Sequence, residues 1–402
     1  MGSVPQQITL SRLIPLLRIH GFISESTVVL DGVKWPVHSY GTPGTLLRRN
    51  LQKEWWDYMV VKQKNTFPVS TSLISSSCLG DLGTFSSSPS NGADLSTIRT
   101  SLRPDLLSHV AATFQLMGGR LPFSLAQMGV CTNRMYDPKW EEKLLIGGLF
   151  NTEMISHYYC LPGVSSQAFD NWLSFRLRWW KQFCRSPSNF TTVDNGNQTN
   201  GHQSSRIEYL FPWGPETVET VTNEGDTAIQ EKEKETQISL RVKSGRKDVL
   251  PHVIECKMCL EPATAAYLVD AFQEKQVFTA STKTSKEREP RQVLHLHRHL
   301  APYKVAVATT GTRSRELRLV GSKWCDELRD STMMILDTSD TNTTLELQFV
   351  RNDALGIPYT AILNDKTLDT GVASLRGRDT ALKEQVHLTQ VQDFIMRHIE
   401  PV

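Results

Sequence analysis

The pattern of hydrophobic and polar positions changes near residues 290–302. Before this point, short apolar runs predict strands, and apolar residues at helical spacing predict a helix near residues 106–117. The predicted strands cover 56–61, 155–159, 208–211 and 249–255, and the helix places Leu106, Val110, Thr113, Phe114 and Met117 on one face. After this point, short strands alternate with helices, and the last helix places Leu388, Val391, Ile395 and Ile399 on one face. This alternation predicts a compact α/β unit.

A second helical pattern covers residues 170–185 and combines aromatic with basic positions. The aromatic residues recur every three or four positions, which predicts a face packed in the core; they are Trp172, Phe175, Trp179 and Phe183. The opposite face carries Arg178, Lys181 and Arg185. These cations either bind a DNA phosphate backbone or form a solvated face, and the sequence leaves both interpretations open.

Polar segments separate the predicted elements. Residues 70–92 and 191–206 are rich in small and polar residues, which predicts flexible loops. Residues 231–235 read EKEKE, which predicts an exposed charged segment.

Composition places the chain among globular proteins of two or three domains. It has 402 residues, of which 39% are hydrophobic and 21% charged. No apolar run approaches the roughly 18 residues of a membrane span, so no membrane contact is expected. The net charge is only +2, so DNA binding requires a local basic patch. Residues 281–329 hold eleven Lys/Arg and five Asp/Glu, and they supply the further DNA-binding candidates Lys283, Lys286, Arg288 and Arg291.

Cysteine usage indicates a reducing compartment. The seven cysteines are dispersed and odd in number, which argues against a disulfide framework. Cys256 and Cys259 form one C-x-x-C, and histidines alternate over 295–299, but a second cysteine pair is absent. We therefore expect no metal site. The first 24 residues contain Arg12 and Arg18 and no acid, so residues 1–34 are predicted to be a leader, either a mitochondrial targeting remnant or a short disordered segment.

Residues 251–272, PHVIECKMCLEPATAAYLVDAF, resemble the third signature motif of class II aminoacyl-tRNA synthetases, in particular the glycyl enzymes. In that family the motif places an arginine on the ATP phosphates, and here Pro262 stands in its place. Proline suits the first turn of a helix but carries no charge and no donor for a phosphate. The resemblance therefore implies a retained scaffold without this contact.

Further segments extend the resemblance in the family's order. Residues 40–59 and 120–129 resemble the first motif and the approach to the second, and residues 300–380 resemble the anticodon-binding domain. The implied fold class is α+β. A class II synthetase-like antiparallel sheet domain covers residues 35–290, with a helical insertion at about 85–118, and an anticodon-binding-like α/β domain covers residues 291–402.

The other catalytic positions of the family are also altered. The arginine for the α-phosphate falls at Asn133, although a shift of one residue would place Arg134 there. In the glycine-recognising run, a glutamate becomes Thr217 and an arginine becomes Glu224, which would repel phosphate. We expect a degenerate site, no catalysis and no cofactor. The alternative is a glycyl-tRNA synthetase-like enzyme, or a tRNA-binding relic of one.

A degenerate site on a glycyl-like body resembles the accessory-subunit family of mitochondrial DNA polymerase gamma, through segments such as LRRNLQKEWWDYMVV, RLPFSLAQMGVC and LRGRDTALKEQ. The resemblance implies a processivity subunit of the mitochondrial matrix and nucleoid. Its expected partners are the polymerase catalytic subunit, double-stranded or primer–template DNA, and a second copy in a homodimer joined through residues 46–59 and 93–118.

The C-terminal domain is expected to carry the main polymerase contact. Arg376 and Arg378 lie two residues apart in a segment predicted to be extended, so both side chains point to the same side. Arginine is enriched in interface hot spots, which makes this pair the candidate contact. The alternative is that Arg378 and Asp379 make structural hydrogen bonds inside the domain.

Overall fold

The computed structural model describes residues 4–30, 32–73, 98–133, 136–195, 202–275, 290–330, 334–339 and 343–399. Its helices are α1 (Val4–Ile19), α2 (Thr42–Trp56), α3 (Arg103–Ser108), α4 (Val110–Leu116), α5 (Ser165–Gln182), α6 (Thr227–Thr236), α7 (Leu260–Ala271), α8 (Ser314–Asp330), α9 (Leu345–Ala354), α10 (Asp365–Thr370) and α11 (Leu388–Ile399).

The strands of the first part are β1 (Ser24–Leu30), β2 (Val33–Ser39), β3 (Thr66–Pro68), β4 (Phe123–Thr132), β5 (Phe150–Cys160), β6 (Phe190–Asp194), β7 (Gln203–Phe211), β8 (Gly214–Asn223), β9 (Val242–Ser244), β10 (Lys247–Val249), β11 (His252–Cys259) and β12 (Phe272–Lys275). The remaining strands are β13 (Arg291–Leu294), β14 (Val305–Thr309), β15 (Ile335–Asp337), β16 (Tyr359–Leu363), β17 (Val372–Gly377) and β18 (Lys383–His387).

A seven-stranded sheet forms the first domain, in the order β3-β4-β5-β11-β8-β7-β6. Its pairs are antiparallel except for β3 with β4. Because strand side chains alternate, the two faces differ. Met154 of β5 packs into the core that contains α2, α5 and α7, whereas Ile155 and Tyr159 pack with α3 and α4. This sheet confirms the predicted class II-like fold.

Three predictions for helices and strands in this domain were correct. Residues 155–159 and 208–211 lie inside β5 and β7, and Pro262 lies in the first turn of α7. The helix predicted near residues 106–117 is divided into α3 and α4 at His109. The strand predicted at 249–255 is also divided, because β10 ends at Val249 and β11 begins at His252. Pro251, which has no N–H to donate, lies between them.

The strand predicted at 56–61 was wrong. Helix α2 reaches Trp56 and continues as a π-helical turn over Asp57–Val61. Leu51, Trp55 and Met59 recur at intervals of four and are at most 1% exposed, so they form one buried helical stripe. Of the residues predicted to form a strand, Met59 belongs to this stripe, whereas Trp56 and Tyr58 are half-buried.

The loop predicted at 191–206 was wrong at both ends. Strands β6 and β7 pair there, with Asp194 opposite Ser205. Strand β6 is at the edge of the sheet, where polar side chains face solvent. Of the loop predicted at 70–92, residues 74–92 lie outside the described residues. The charged segment 231–235 lies within α6, where Lys232 pairs with Glu235 at 2.6 Å.

The expected leader is largely part of the fold. In α1, Leu13, Leu16 and Leu17 are at most 3% exposed and join the core that also contains Leu47 of α2. Strands β1 and β2 form an antiparallel hairpin immediately afterwards. Residues 13–23 therefore belong to the first domain, because their buried apolar side chains complete its core.

The second domain contains a five-stranded sheet in the order β15-β14-β16-β17-β18. Strand β14 is parallel to both of its neighbours, and β16, β17 and β18 are antiparallel. Trp324 of α8 and Ile395 of α11 pack in one core over this sheet. This arrangement confirms the predicted α/β unit, including the final helix with Val391 and Ile395 buried.

The two domains share a continuous core. Leu294, Leu296 and Leu300 of the connecting segment pack in one cluster with Leu355 and Ile357 of the second domain. Strand β13 pairs with β12. Asn50 of α2 donates to the carbonyl oxygens of Leu300 and Ala301 at 3.3 and 2.9 Å. The connection is thus packed and hydrogen-bonded.

Candidate functional site

We take the sheet face opposite α2, α5 and α7 as the candidate site. It carries a buried or half-buried set of ionisable side chains, which we call the sheet-face network: Arg103, Glu153, His157, Glu224, Glu255 and Lys257. Strand alternation places Glu153 and His157 of β5 on this face, next to Glu255 and Lys257 of β11. Arg103 approaches from α3.

Every cation of the sheet-face network faces a carboxylate. Arg103 makes two hydrogen bonds to the carboxylate of Glu224, at 3.0 and 2.7 Å. The ammonium of Lys257 lies 2.8 Å from the carboxylate of Glu153. The ring of His157 is hydrogen-bonded to Glu255 at 2.9 Å. These pairs leave little positive charge for a phosphate group.

The pKa values of the network follow from this pairing. Burial by itself would raise the pKa of Glu255, but the hydrogen bond to His157 and the charges of Arg103 and Lys257 lower it overall. Burial likewise disfavours the charged form of Lys257, but Glu153 raises the pKa of Lys257 overall. Both groups are therefore held in their charged forms near neutral pH.

The chain itself covers this face with residues 98–116, which include α3 and α4. Glu153 accepts hydrogen bonds from the backbone N–H of Leu102 at 2.8 Å and from the hydroxyl of Ser101 at 3.0 Å. Arg99 donates to the carbonyl oxygens of Val130 and Ser72, each at 2.9 Å. The expected insertion at about 85–118 is therefore, in its described part, a cover over the sheet.

Gly129 permits this cover. A Cβ atom at position 129 would lie 2.1 Å from a guanidinium nitrogen of Arg99 and 3.1 Å from Leu102. A larger residue would displace Arg99 from the carbonyl oxygens that it binds. The glycine is thus required by close approach of a side chain to the strand.

Of the positions predicted to be degenerate, Glu224 belongs to the sheet-face network. Asn133 follows β4, and its backbone N–H donates to Leu149 at 2.8 Å. Glu224 follows β8 and holds Arg103. Thr217 lies half-buried in β8 beside a register shift, and Pro262 lies in the first turn of α7. Arg134, the alternative to Asn133, lies outside the described residues.

Sequence reasoning missed a second ionic pair on the other side of the sheet. Arg176 of α5 is fully buried and donates to Glu219 of β8 at 2.7 Å, and Trp180 donates to the same carboxylate at 2.5 Å. Arg176 lies four residues after Trp172 and three before Trp179, so the helical spacing places it on the aromatic face. An arginine on a face predicted to be buried indicates a buried ion pair, and this pattern could have revealed it. Glu219, retained from the glycine-recognising run, therefore serves the core.

The basic residues of α5 lie where the sequence predicted. Trp172, Trp179 and Phe183 are at most 8% exposed, which confirms the core-facing aromatic side. Arg178 is exposed, and Lys181 is half-buried. Arg185 is exposed beyond the end of the helix, and its backbone N–H donates to Asp270.

The basic stretch 281–329 does not form one free cationic surface in its described part. Arg291 pairs with Asp353 at 2.6 Å, Lys304 donates to three backbone carbonyl oxygens, and Arg313 pairs with Asp369. Arg291 therefore has a structural partner within the second domain. The other three candidates from this stretch, Lys283, Lys286 and Arg288, lie outside the described residues.

Arg376 of β17 and Arg378, which directly follows the strand, are both buried. They are 6% and 4% exposed. Arg376 makes two hydrogen bonds to Asp353 at 3.0 and 3.2 Å. Arg378 donates to the carbonyl oxygens of Leu294, Leu296 and Gly356 at 2.8 to 3.1 Å. These contacts favour the structural interpretation over the predicted polymerase contact.

Other kinds of site find no support in the described part of the chain. Within the described ranges, no group of three or more His, Cys, Asp or Glu side chains could hold a metal ion. Among the residues described, no helix is both long and apolar enough to cross a membrane.

Comparisons with known proteins agree with both domains. The Anticodon binding domain family matches residues 304–398. The chain is 30% identical to the mitochondrial DNA polymerase subunit gamma-2 of Xenopus laevis, over 96% of this chain and 87% of the relative. It is 31% identical to DNA polymerase subunit gamma-2 of Bos taurus, over 89% and 78%. It is 23% identical to the glycine--tRNA ligase of Bifidobacterium longum, over 98% and 93%.

Together, the antiparallel sheet, the C-terminal domain and the glycine--tRNA ligase relatives define a protein with the class II aminoacyl-tRNA synthetase fold. The sequence identity of 30% and 31% to the Xenopus laevis and Bos taurus proteins assigns the chain to one family within this fold class. The chain belongs to the DNA polymerase subunit gamma-2 family.

Proposed function

We propose that this protein is a non-catalytic accessory subunit of the mitochondrial replicative DNA polymerase. In this role it binds the catalytic subunit and primer–template DNA in the mitochondrial matrix and nucleoid, and it raises processivity. Relatives named as subunits of DNA polymerase gamma support the role. The single structural observation that supports it best is the covered, charge-neutralised sheet face.

The sheet-face network offers no free cation for catalysis. Adenylate formation requires cations placed against the phosphates of ATP. Here Arg103 is held by Glu224, Lys257 is held by Glu153, and Pro262 stands at the third-motif arginine. Residues 98–116 also occupy the face that a nucleotide would need. We therefore propose that the site activates no amino acid.

Primer extension tests the proposed role directly. The full chain should co-purify with the polymerase catalytic subunit and lengthen its products on a singly primed template under single-encounter conditions. Glycine-dependent ATP–pyrophosphate exchange, measured on the same preparation, should stay at background. Saturable exchange would contradict the non-catalytic proposal, and failure to bind or stimulate the polymerase would contradict the accessory role.

We also propose that the protein is a homodimer. Trp55, within the expected interface segment 46–59, is 1% exposed and packs inside its own chain. Exposed apolar residues near the expected interface are instead Val61 and Leu116, at 66% and 72%. Light scattering at micromolar concentration should give twice the chain mass, and Leu116→Glu should lower it. A monomer mass for the unmodified chain would contradict the homodimer.

A further inference from the structure

We propose that the cleft between the two domains binds a nucleotide unit, meaning a flat ring joined to a phosphate. The cleft has a volume of about 660 Å³. It is bounded by the end of α5, by β12, by the connecting residues 295–298 and by β17 and α11. No residue of the sheet-face network lines it. Its volume lies in the range of about 300–1,000 Å³ that is typical of small-molecule sites.

His295 gives the cleft an unused hydrogen-bonding atom. Its side chain is 8% exposed, and its Nδ1 lies 2.6 Å from the carboxylate of Asp379. Asp379 is fixed in turn by Arg378, at 2.8 and 3.0 Å. The Nε2 of His295 is buried and has no partner. A buried polar atom without a partner is costly, and a turn of the imidazole ring toward the cleft would let a ligand group satisfy it.

Cations from both sides of the cleft favour an anionic ligand. Arg185 and Lys275 come from the first domain, and Arg298 comes from the connecting segment. Of the two acids in the lining, Asp379 is already paired with Arg378 and His295, and Glu384 is exposed at the rim. The unpaired charge of the cleft is therefore mainly positive. This charge suits a phosphate group.

Aromatic rings make up the wall contributed by the second domain. The rings of Phe394 and His398 lie 4.3 Å apart, and Tyr359 lies 6.2 Å from Phe394. Phe183 of the first domain packs against His297 on the other side. Flat bases stack on such surfaces. A ring against these side chains and a phosphate toward Arg185 and Lys275 would fill the cleft, as either a free nucleotide or one unit of a single strand.

Titration calorimetry of the full chain tests the proposal with ATP, adenosine and inorganic phosphate as probes. ATP should bind at one site. Adenosine and inorganic phosphate should each bind at least about tenfold more weakly, because each carries only one of the two groups that the cleft would hold. No heat from ATP at millimolar concentration would overturn the proposal. Inorganic phosphate binding as tightly as ATP would also overturn it, because the ring would then contribute nothing.

Matched variants locate the site. Arg185→Gln with Lys275→Gln should weaken ATP roughly tenfold or more and leave adenosine unchanged, because these two cations serve the phosphate alone. His295→Asn keeps a donor toward Asp379 but removes Nε2, so it should weaken ATP and adenosine by the same factor. Arg315→Gln, an exposed change on α8, is the control. ATP binding that survives both cleft variants would place the nucleotide elsewhere and overturn the proposal.

A competition experiment separates the two sources of the ligand. A short oligothymidylate that displaces ATP and binds more tightly would identify a unit of single-stranded DNA as the natural occupant. ATP binding that the oligonucleotide does not disturb would identify a free nucleotide. An oligonucleotide that binds equally well to the Arg185→Gln and Lys275→Gln variant would contradict a strand in the cleft.

Discussion

Arg176 and Arg178 are two residues apart on α5, yet the fold uses them in opposite ways. Arg176 is fully buried against Glu219, and its guanidinium lies 4.5 Å from the ring of Trp179. Arg178 is exposed. Removing one partner of a buried ion pair leaves an uncompensated charge, whereas removing an exposed charge changes little.

We therefore predict that Arg176→Ala lowers the free energy of unfolding by about 3–5 kcal/mol. Arg178→Ala, the matched control on the same helix, should change it by less than about 0.5 kcal/mol. Urea unfolding followed by circular dichroism measures both. Combining Arg176→Met with Glu219→Gln should recover part of the loss, since no buried charge then remains. Equal effects of the two single alanine variants would contradict the prediction.

His297 makes the free energy of unfolding depend on pH. Burial, reinforced by the charges of His299 and Arg298, lowers the pKa of His297 to about 4. In the unfolded chain the pKa is about 6.5, so the unfolded state binds more protons as pH falls between these values. This group's contribution to stability is therefore present above pH 6.5 and lost toward pH 4.

We predict that His297→Asn makes the protein less sensitive to acid. Between pH 7 and pH 5, the unmodified protein should lose about 1–2 kcal/mol more unfolding free energy than the variant. Urea unfolding at the two pH values gives the comparison, and the difference between proteins cancels the titration of other groups. Parallel losses in both proteins would show that His297 is not the group responsible.

What the sequence could predict at this scale depended on local chemistry. Pro262 was placed correctly in the first turn of α7 because that preference belongs to proline itself. The burial of Arg176, Arg376 and Arg378 could not be predicted, because each partner lies far away in sequence. An arginine among aromatic residues was the only local hint.

At the scale of elements, the cover formed by residues 98–116 depends on one close approach. Arg99 passes over Gly129 of β4 to reach the carbonyl oxygens of Thr71 and Ser72. We predict that Gly129→Ala lowers the free energy of unfolding by about 1–3 kcal/mol, because Arg99 must move. In an Arg99→Ala background the same change should cost less, since the clash is gone. A double-mutant cycle measured by chemical unfolding tests this, and additive effects would contradict it.

The three cations at and just beyond the end of α5 are predicted to bind DNA phosphates. Replacing Arg178, Lys181 and Arg185 with alanine should reduce the slope of log affinity against log salt by roughly 0.9 for each phosphate that is no longer neutralised. Fluorescence anisotropy with a labelled duplex between about 50 and 200 mM salt measures the slope. Lys64→Ala, an exposed change elsewhere, is the control. An unchanged slope would return the three residues to a solvated face.

Helices and strands were predicted correctly where the spacing of apolar residues fitted only one type of element. They were missed where the spacing and the residue types indicated different elements. Strand β5 and helix α11 have clear periods and were found. Residues 56–61 contain side chains that favour strands. They are helical because Leu51, Trp55 and Met59 recur every four residues, and the burial of these three side chains stabilises the helix. Edge strand β6 was missed because its residues, exposed to solvent, have a loop-like composition.

At the scale of the whole molecule, the shared core means that the domains do not separate cleanly. A chain ending at Ala301 would leave Leu294, Leu296 and Leu300 without Leu355 and Ile357. Surface substitutions are therefore a sharper test of the polymerase contact than truncation. The sequence predicted the order of the two domains, but this common core depends on interactions between distant segments.

We predict that the outer surface of the second domain carries the main contact with the polymerase catalytic subunit. Leu319 on α8 is 66% exposed and apolar, and Leu319→Glu should weaken stimulation of primer extension without unfolding the protein. Val29→Glu, on β1 of the first domain, is the matched control because Val29 is also 66% exposed. Equal stimulation by both variants, with normal melting temperatures, would move the contact elsewhere.

The bonds around Arg99 also bear on how chains of this kind can diverge in length. The backbone N–H of Arg99 donates to the carbonyl oxygen of Leu73 at 3.2 Å, so positions 73 and 99 are spatial neighbours. Doubling the number of residues that connect two such points costs only about 0.6 kcal/mol of closure entropy. Evolution can therefore lengthen or shorten the chain there while both domains keep their structure.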